Sequence, residues 1–214
     1  AEQLVVGTAE QKAAVPRLPD SESGREIFRV ASWSHGRAFR DVDFTAAHGE
    51  VVALMGVEGS GARELLRSFS GLERCTGSIR MDAVDSTSVF ARTAYVPATR
   101  AESLYSNFSV GENLVARLGV PQIAGPTLAL KTRRMREIAE DSVKRFLVKT
   151  RTLTQGVRSL SGGNQQKVAI AQALTLEPRL VLLEEPTRGV DIQSRREIYR
   201  LLRDFAAGGN AVVM

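Results

Sequence analysis

The chain has 214 residues, of which 43% are hydrophobic and 25% are charged, so it can bury the core of one ordinary domain and is neither disordered nor fibrous. No apolar run approaches the roughly 18 residues that span a bilayer, the single cysteine excludes an internal disulfide framework, and the N-terminal residues show no signal-peptide pattern. We therefore expect a soluble globular chain in a reducing compartment, whose net charge of +5 suits nucleic acid, an anionic membrane face or phosphates.

The first half of the chain predicts a linker, then strands and one short helix. Residues 1–24 contain two prolines and several small polar residues without a sustained period, which indicates a linker. A helix is predicted over Glu64–Phe69 and a strand over Ala94–Val96. Between the linker and that helix, strands separated by His-Gly turns are predicted from the apolar residues Ile27, Phe28, Val30, Val42, Phe44 and Val51–Met55.

The second half alternates helices with apolar strands. Residues 109–153 are mostly helical in pattern, and further helices are predicted over Gln165–Leu176 and Ser194–Phe205. Leu180–Leu183 predicts a strand that is buried on both faces, and Ala211–Met214 begins another apolar strand. Strands that alternate with helices predict an α/β fold with a mostly parallel sheet.

A local excess of lysine and arginine between residues 131 and 151 accounts for much of the positive charge. The same segment carries apolar residues at helical spacing, which favours a packed helix with a solvated basic face. Aromatic residues make up only 6% of the chain and do not alternate with the basic ones. A base-stacking surface for nucleic acid is therefore disfavoured.

The segment 56–63 lies between a predicted strand and a predicted helix, where a phosphate-binding loop would be placed. Gly56, Gly59 and Gly61 have the spacing that lets backbone N–H groups turn toward phosphates. Such a loop continues with a lysine and a hydroxyl residue, but these positions hold Ala62 and Arg63. Taken alone, the pattern favours a plain glycine-rich turn. If the segment derives from a phosphate loop, Arg63 is a candidate substitute cation.

Two adjacent acids, Glu184 and Glu185, follow the apolar strand Leu180–Leu183. In an open parallel sheet, ligands bind at the edge where the carboxyl ends of the strands meet. There the first acid can hold magnesium through water, and the second can orient or deprotonate an attacking water. The alternative is a strand that ends in two solvated acids before a proline turn. Asp191 adds a third acid after a glycine turn.

The most informative stretch is 160–167, which reads LSGGNQQK. Ser161 is placed to cap a helix that opens near Gln165, and Gly162 and Gly163 free backbone N–H groups in front of that helix. The N-terminus of a helix carries partial positive charge and favours an anion. A simple capped helix start is the alternative, although capping alone does not require two glycines.

The order of these motifs resembles that of ABC transporter ATPases. Residues 160–167 are similar to the signature sequence of that family, and they lie about 20 residues before a strand similar to its Walker B motif. Both follow the Walker A-like segment 56–63 by roughly 100 residues. Within the family, the segments Tyr95–Pro97, Ser109–Leu114, Gly163–Lys167 and Glu185–Asp191 resemble the second ATPase half of duplicated proteins that drive import of ribose and other monosaccharides.

The resemblance implies a P-loop NTPase fold of the ABC ATPase type, with an antiparallel β subdomain and an α-helical subdomain at about 100–160. Residues 1–24 would then end a preceding ATPase half, and residues 25–214 would form an ATPase domain that is truncated at its C-terminus. ATP and Mg²⁺ are the implied cofactors. Glu184 and Glu185 are the implied catalytic residues, with Glu184 also the metal ligand. The implied nucleotide-binding residues are Gly56, Gly59, Ser60, Gly61, Ala62, Arg63, Ser161, Gly162, Gly163, Gln165 and Asp191.

Departures from the family pattern are concentrated at the chain's own nucleotide site. The Walker A lysine is replaced by Ala62, the first Walker B acid is Glu184 in place of aspartate, and the Q-loop position holds Ala98. The resemblance therefore implies a degenerate site that binds nucleotide weakly or hydrolyses it poorly. Trp33 lies near the place of the adenine-stacking aromatic, but it aligns with a core position and is expected to be buried.

Proteins of this family act as head-to-tail pairs, in which each ATP lies between the Walker motifs of one half and the signature of the other. The resemblance implies that this chain pairs with a first ATPase half of the same polypeptide. It also implies membrane permease subunits and, indirectly, a solute-binding protein as partners, with the chain peripheral on the cytoplasmic face of the cell membrane. Two alternatives stay open: a non-transport ABC ATPase that acts on nucleic acid or ribosomes, and a non-hydrolysing regulatory nucleotide-binding module.

Overall fold

The structure is a computed structural model that describes residues 24–82, 89–124 and 129–214. The linker predicted at 1–24 lies outside the described residues except for Gly24, so it stays a prediction. Two sheets organise the described part of the chain, one of three strands and one of four. Among these residues, no helix is both long and apolar enough to cross a membrane.

The smaller sheet is antiparallel and has the order β2-β1-β4, formed by β1 (Glu26–His35), β2 (Phe39–Ala47) and β4 (Thr76–Met81). Its central strand pairs with both neighbours, so that Phe28 lies opposite Ala46 on one side and Met81 on the other. The ring of Phe28 packs edge-on against Phe69, with 5.1 Å between the centroids. The sequence pattern missed β4, although it predicted the other two strands.

The larger sheet is parallel and has the order β3-β7-β6-β5. Its strands are β3 (Val51–Val52), β5 (Thr93–Val96), β6 (Leu180–Leu183) and β7 (Ala211–Val213). This architecture confirms the predicted α/β fold with a mostly parallel sheet. The strand predicted over Val51–Met55 ends earlier than expected, although Leu54 still donates a backbone hydrogen bond to the carbonyl of Met214 at 2.6 Å.

Seven helices are found in the described residues. They are α1 (Ala62–Ser68), α2 (Arg100–Ser103), α3 (Val110–Val115), α4 (Val120–Ile123), α5 (Thr132–Arg145), α6 (Gly162–Leu174) and α7 (Ile192–Ala207), with short 3-10 turns at Phe90–Arg92 and Val157–Ser159. The segment 109–153, predicted as mostly helical, therefore contains three separate helices. The basic residues of α5 face solvent, and two of them pair along the helix, Arg133 with Glu137 at 3.0 Å and Arg136 with Glu140 at 2.8 Å.

Strand β6 lies between the two halves of the core. Leu180 and Leu182 pack with the antiparallel sheet and α1, whereas Val181 and Leu183 pack with the helices on the opposite face. All four side chains are fully buried, which explains why the strand is continuously apolar. Burial of each such side chain stabilises the fold by about 1.5–3 kcal/mol.

Trp33 belongs to the core beside the antiparallel sheet, as predicted. Its side chain is 5% exposed, and its indole N–H donates to the hydroxyl of Ser68 at 2.8 Å. A buried indole needs such a partner because its N–H would otherwise lose its hydrogen bond to water. Trp33 is therefore a core residue, with its ring buried and its N–H bonded to Ser68.

The parallel direction of the larger sheet places the functional segments. The carboxyl ends of β3, β5, β6 and β7 all lie at one edge, because the four strands run in the same direction. The loop that follows β3 therefore lies beside the acids that follow β6, although more than a hundred residues separate them. This edge is where the predicted phosphate loop and the predicted acids meet.

Candidate functional site

A cleft of about 170 Å³ opens at the carboxyl edge of the parallel sheet. Its lining includes Gly56, Ala62 and Arg63 from the loop and the start of α1, and Glu184 and Glu185 from the end of β6. The structure therefore brings the Walker A-like segment and the two acids together, in the arrangement that their positions in the sequence predicted.

The glycines of the loop are required by its geometry. Gly59 and Gly61 have φ angles of +80° and +84°, which other residues adopt only with strain. A Cβ atom at Gly61 would lie 2.3 Å from the carbonyl oxygen of Ala38, and one at Gly56 would lie 2.2 Å from the hydroxyl of Ser60. Space for a side chain is lacking at both positions, so the backbone itself forms this wall of the cleft.

Glu184 is the most buried charged group of the cleft, with a residue exposure of 4%. Its Oε2 accepts a hydrogen bond from Arg63 Nε at 3.1 Å, and its Oε1 accepts one from the Tyr95 hydroxyl at 2.5 Å. The charge of Glu184 raises the pKa of Arg63. Burial, followed by the bond to Glu184, raises the pKa of Tyr95. At neutral pH Arg63 therefore stays a guanidinium cation and Tyr95 stays a neutral phenol.

Glu185 also lines the cleft but is exposed. Its backbone has a φ of +42°, a left-handed conformation that costs a glutamate about 1 kcal/mol or more. Arg188 Nη1 lies 3.5 Å from its Oε2. A carboxylate held in this way at the mouth of a cleft can position a water or a cation.

The signature segment begins α6 earlier than the sequence predicted. The helix starts at Gly162, whereas the prediction placed its opening near Gln165 with both glycines in front. Ser161 is the N-cap, as predicted, and its hydroxyl accepts from the side-chain amide of Asn164 at 2.9 Å. Both glycines lie in the first turn, but only Gly163 lacks room for a larger residue, since a Cβ at Gly162 would lie 3.5 Å from its nearest neighbour. A Cβ at Gly163 would lie 2.3 Å from the Ser194 hydroxyl.

A second cluster of predicted site residues surrounds this helix start. Asp191 caps α7 by accepting a hydrogen bond from the backbone N–H of Ser194 at 2.9 Å. Hydrogen bonds from the backbone and side chain of Ser194 lower the pKa of Asp191. A Cβ at Gly163 would lie 3.1 Å from the same carboxylate. The side-chain amide of Gln165 is also fixed, because it donates to the carbonyl of Leu160 at 2.9 Å. The starts of α6 and α7 thus lie against each other.

The predicted site residues therefore fall into two groups. The cleft at the edge of the sheet is lined by Gly56, Ala62, Arg63, Glu184 and Glu185. The loop between Gly56 and Ala62 also contains Gly59, Ser60 and Gly61, which do not line the cleft. The other group lies at the starts of α6 and α7 and consists of Ser161, Gly162, Gly163, Gln165 and Asp191. In the described part of the chain, no hydrogen bond or ion pair joins residues 161–165 to residues 56–61. The predicted site residues of one chain therefore form two separate clusters.

A family model matches residues 39–188 and is described as ABC transporter. The chain belongs to the ABC transporter family. The matched range contains the Walker A-like loop, the signature segment and both Walker B acids. Membership of this family carries nucleotide binding with it, which agrees with a glycine-rich backbone wall at the sheet edge.

Curated relatives within the ABC transporter family cover most of the chain. A ribose import ATP-binding protein RbsA from Ruegeria sp. (strain TM1040) is 35% identical over 204 residues, which are 92% of this chain and 40% of that protein. A putative ribose/galactose/methyl galactoside import ATP-binding protein 2 from Burkholderia cenocepacia (strain HI2424) is 35% identical over 212 residues, with the same coverage. The chain thus spans about two fifths of the length of the relatives that it matches.

Solved structures of the ABC family share the fold. cbiO1 from Clostridium perfringens, part of the ABC transporter complex cbiONQ, superposes with a TM-score of 0.70 at 23% identity over 88% of this chain and 77% of that one. The ATP-binding cassette MJ0796, a dimer bound to ADP and Pi, gives a TM-score of 0.67 at 24% identity over 87% of this chain and 86% of that one. At this identity the likeness concerns the fold, and it confirms the predicted ABC ATPase architecture.

The sequence did not predict the structural roles of two residues of this ABC domain, Tyr95 and Lys167. Tyr95 was part of a motif match, but its bond to Glu184 joins residues 89 positions apart. Lys167 is 1% exposed, and its ammonium donates to the Leu147 carbonyl at 2.5 Å and to Glu197 Oε2 at 2.9 Å. The one signal in the sequence that could have indicated a buried partner for Lys167 is its place in a helix with mostly apolar residues.

The pair formed by Lys167 and Glu197 predicts a pH dependence of stability. The hydrogen bond from Lys167 holds the pKa of Glu197 below its usual value of 4.5. A carboxyl whose pKa is lowered by folding stabilises the protein above its unfolded pKa, and this contribution is lost as the pH falls through the folded pKa. In urea denaturation, Glu197→Gln should be about 2 kcal/mol less stable than the wild type at pH 7, because the buried Lys167 ammonium keeps an amide acceptor but loses its counter-charge. The difference should shrink below about pH 4.5, and a constant difference down to pH 3 would contradict the assignment.

Proposed function

We propose that this chain is an ATP-binding half of an ABC importer, which couples ATP hydrolysis to the uptake of a sugar-like solute. The observation that carries the proposal is the likeness over about nine tenths of the chain to proteins named as ribose or galactose import ATP-binding proteins. Their greater length leaves room for a first ATPase half. The chain would be the second half, because its signature follows the family pattern while its Walker A segment does not.

The two clusters of site residues would act as half-sites that contribute unequally to a head-to-tail pair. Ser161 and the first-turn N–H groups of Gly162 and Gly163 would close over ATP that is held by the Walker A loop of the partner half. The rigid N-terminus of a 13-residue helix suits phosphate oxygens, since its dipole and free N–H groups favour an anion. Gln165 and Asp191 would support this turn. The intact signature is therefore the chain's main contribution to hydrolysis.

The chain's own nucleotide site would be degenerate. Ala62 supplies no cation to the phosphates, and Arg63 is held through its Nε by Glu184, so only its remaining N–H donors can reach a phosphate. Gly56, Gly59, Ser60 and Gly61 would still offer backbone contacts to a nucleotide. Glu185 would be the group that orients an attacking water there, but without a phosphate-binding lysine the reaction would be slow. Nucleotide at this site would serve the stability of the pair more than turnover.

The remaining partners follow from the same family arrangement. We propose that the helical segment around 100–150 faces membrane permease subunits and that the chain lies peripherally on the cytoplasmic face of the membrane. The exposed basic residues of α5 would suit an anionic lipid surface beside the permease. A solute-binding protein would deliver the sugar on the opposite side. Nucleic acid is not needed to explain the charge.

A reconstitution in trans tests this function. The full chain is mixed with a first-half ATPase domain of a ribose import ATP-binding protein, and phosphate release is measured with Mg-ATP. We expect the chain to raise the rate of the first half, and Ser161→Ala to lower that stimulation about tenfold, which corresponds to about 1.4 kcal/mol of transition-state stabilisation.

Ser109→Ala is the matched control, because Ser109 is also an N-cap serine, with a capping box at α3. Both variants lose a cap worth about 1 kcal/mol of stability, but only Ser161 belongs to the signature. Equal loss of stimulation in both variants would contradict the proposal, and so would steady phosphate release by the chain alone. Tight pairing without any rise in phosphate release would favour a regulatory module.

A further inference from the structure

The acid that family membership assigns to magnesium is hydrogen-bonded within this chain through both of its carboxylate oxygens. Glu184 lies at the Walker B position, and both of its carboxylate oxygens accept hydrogen bonds, from Arg63 Nε at 3.1 Å and from the Tyr95 hydroxyl at 2.5 Å. We propose that the chain's own nucleotide site takes no magnesium, because Arg63 is a built-in cation in the place of the metal. This inference rests on the proposed function in one respect, namely that the sheet edge is a nucleotide site.

Burial makes the engagement of Glu184 hard to reverse. Its side chain is only 4% exposed, and an ionised carboxylate at such depth requires compensating partners. Arg63 supplies the opposite charge and Tyr95 supplies a neutral donor. A divalent cation that coordinated a Glu184 oxygen directly would lie beside the Arg63 guanidinium or compete with the Tyr95 hydroxyl, which would place two cations in contact or leave a half-buried phenol without its acceptor.

The other residues of the cleft do not replace the lost ligands. Magnesium takes six oxygen ligands at about 2.0–2.1 Å in octahedral geometry. The hydroxyl position of the loop holds Arg63, which has nitrogen donors and no acceptor, and the Glu185 carboxylate is paired with Arg188 at 3.5 Å. Across residues 24–82, 89–124 and 129–214, no group of three His, Cys, Asp or Glu residues is arranged to hold a metal.

Arg63 can carry out the electrostatic part of the metal's role. Its side chain is 57% exposed, so its remaining N–H donors face the cleft while Nε is held by Glu184. A planar guanidinium matches two phosphate oxygens. The ligand that fits this site is therefore a nucleotide phosphate without a bound metal.

Mn²⁺ binding by the full chain tests the proposal, with the paramagnetic signal of free Mn²⁺ as readout. The titration is made without nucleotide and with a fluorescent ATP analogue, whose affinity is also measured in Mg²⁺ and in EDTA. We expect the wild-type chain to leave Mn²⁺ free beyond what the nucleotide itself binds. Its affinity for the analogue should agree within about twofold in Mg²⁺ and in EDTA. Stoichiometric Mn²⁺ binding to the wild type would overturn the proposal.

Two variants show what excludes the metal. Arg63→Ser removes the internal cation and places a hydroxyl at the family's magnesium position, so Mn²⁺ binding should become at least about tenfold tighter. Tyr95→Phe frees Oε1 while it keeps the ion pair, so it covers the case in which Arg63→Ser fails to fold, and it should give a smaller gain. If neither variant gains Mn²⁺ binding, Arg63 and Tyr95 are not the cause and the proposal fails.

The outcome is independent of the signature experiment. If the chain binds Mn²⁺ but still needs Ser161 to raise the phosphate release of a first half, only the proposal of a metal-free site is contradicted. A chain that leaves Mn²⁺ free but shows no effect of Ser161→Ala contradicts only the proposed function.

Discussion

Replacing Lys167 with methionine should destabilise the chain by about 3 kcal/mol, since removing one partner of a buried ion pair typically costs about 3–5 kcal/mol. The estimate lies at the low end because Glu197 keeps some contact with solvent, with 22% of its side chain exposed. The substitution preserves the length and apolar stem of the side chain. The lost interactions are the bond to Glu197 at 2.9 Å and the bond to the Leu147 carbonyl at 2.5 Å.

The position of Lys167 explains why its loss would reach the functional segment. It lies on α6, and its two partners lie on α7 and in the turn after α5. Leu147 in that turn has a φ of +53°, a strained conformation that requires support from its surroundings. Lys167 therefore fixes the start of α6, and with it the signature, relative to the neighbouring helices. We expect Lys167→Met also to lower the stimulation of a first ATPase half.

Urea denaturation with a double-mutant cycle measures this effect. Lys144→Met is the matched control, because Lys144 is exposed on α5 and its replacement should change stability by no more than about 0.5 kcal/mol. Combining Lys167→Met with Glu197→Met should recover most of the loss, because it removes the uncompensated charge. A Lys167→Met variant as stable as the Lys144→Met variant would show that the pair does not hold the helices together.

Local sequence patterns predicted those helices and strands whose buried apolar residues are continuous or regularly spaced. Strand β6 was predicted within its observed bounds because all four residues are apolar, and α7 was predicted from Ile198, Leu202 and Phe205, which the structure buries. Strand β4 was missed, since its residues Thr76–Ser78 are exposed and Gly77 has a φ of +109°. Its pairing with β1 comes from tertiary contacts that no local period records.

The candidate site divides in the same way. The positions of the loop and the acids followed from the rule that ligands bind at the carboxyl edge of a parallel sheet. The bond from Arg63 to Glu184 joins residues 121 positions apart, so the sequence could suggest a substitute cation but not its partner. The start of α6 was predicted too late because glycine is a weak helix former. In the folded chain Gly163 lies in the first turn, where it packs closely against Ser194.

Gly163→Ala should both destabilise the chain and lower its stimulation of a first ATPase half, because of the close contact between Gly163 and Ser194. A Cβ at this position would lie 2.3 Å from the Ser194 hydroxyl and 2.6 Å from the Ser194 Cβ, so one helix start must move. Such overpacking costs about 1–3 kcal/mol. Because the clash separates the signature from the N-cap of α7, stimulation of a first ATPase half should fall together with stability.

Thermal denaturation and phosphate release should distinguish this clash from a general effect of alanine. Gly156→Ala is the control, since a Cβ there meets nothing within 4 Å and its φ of −62° suits any residue. It should be neutral or stabilise the chain by about 0.5 kcal/mol. Ser194→Gly removes both clashing atoms, so Gly163→Ala should cost much less in that background than in the wild type. An equal loss in both backgrounds would mean that close packing of α6 against α7 is not what requires glycine in the signature.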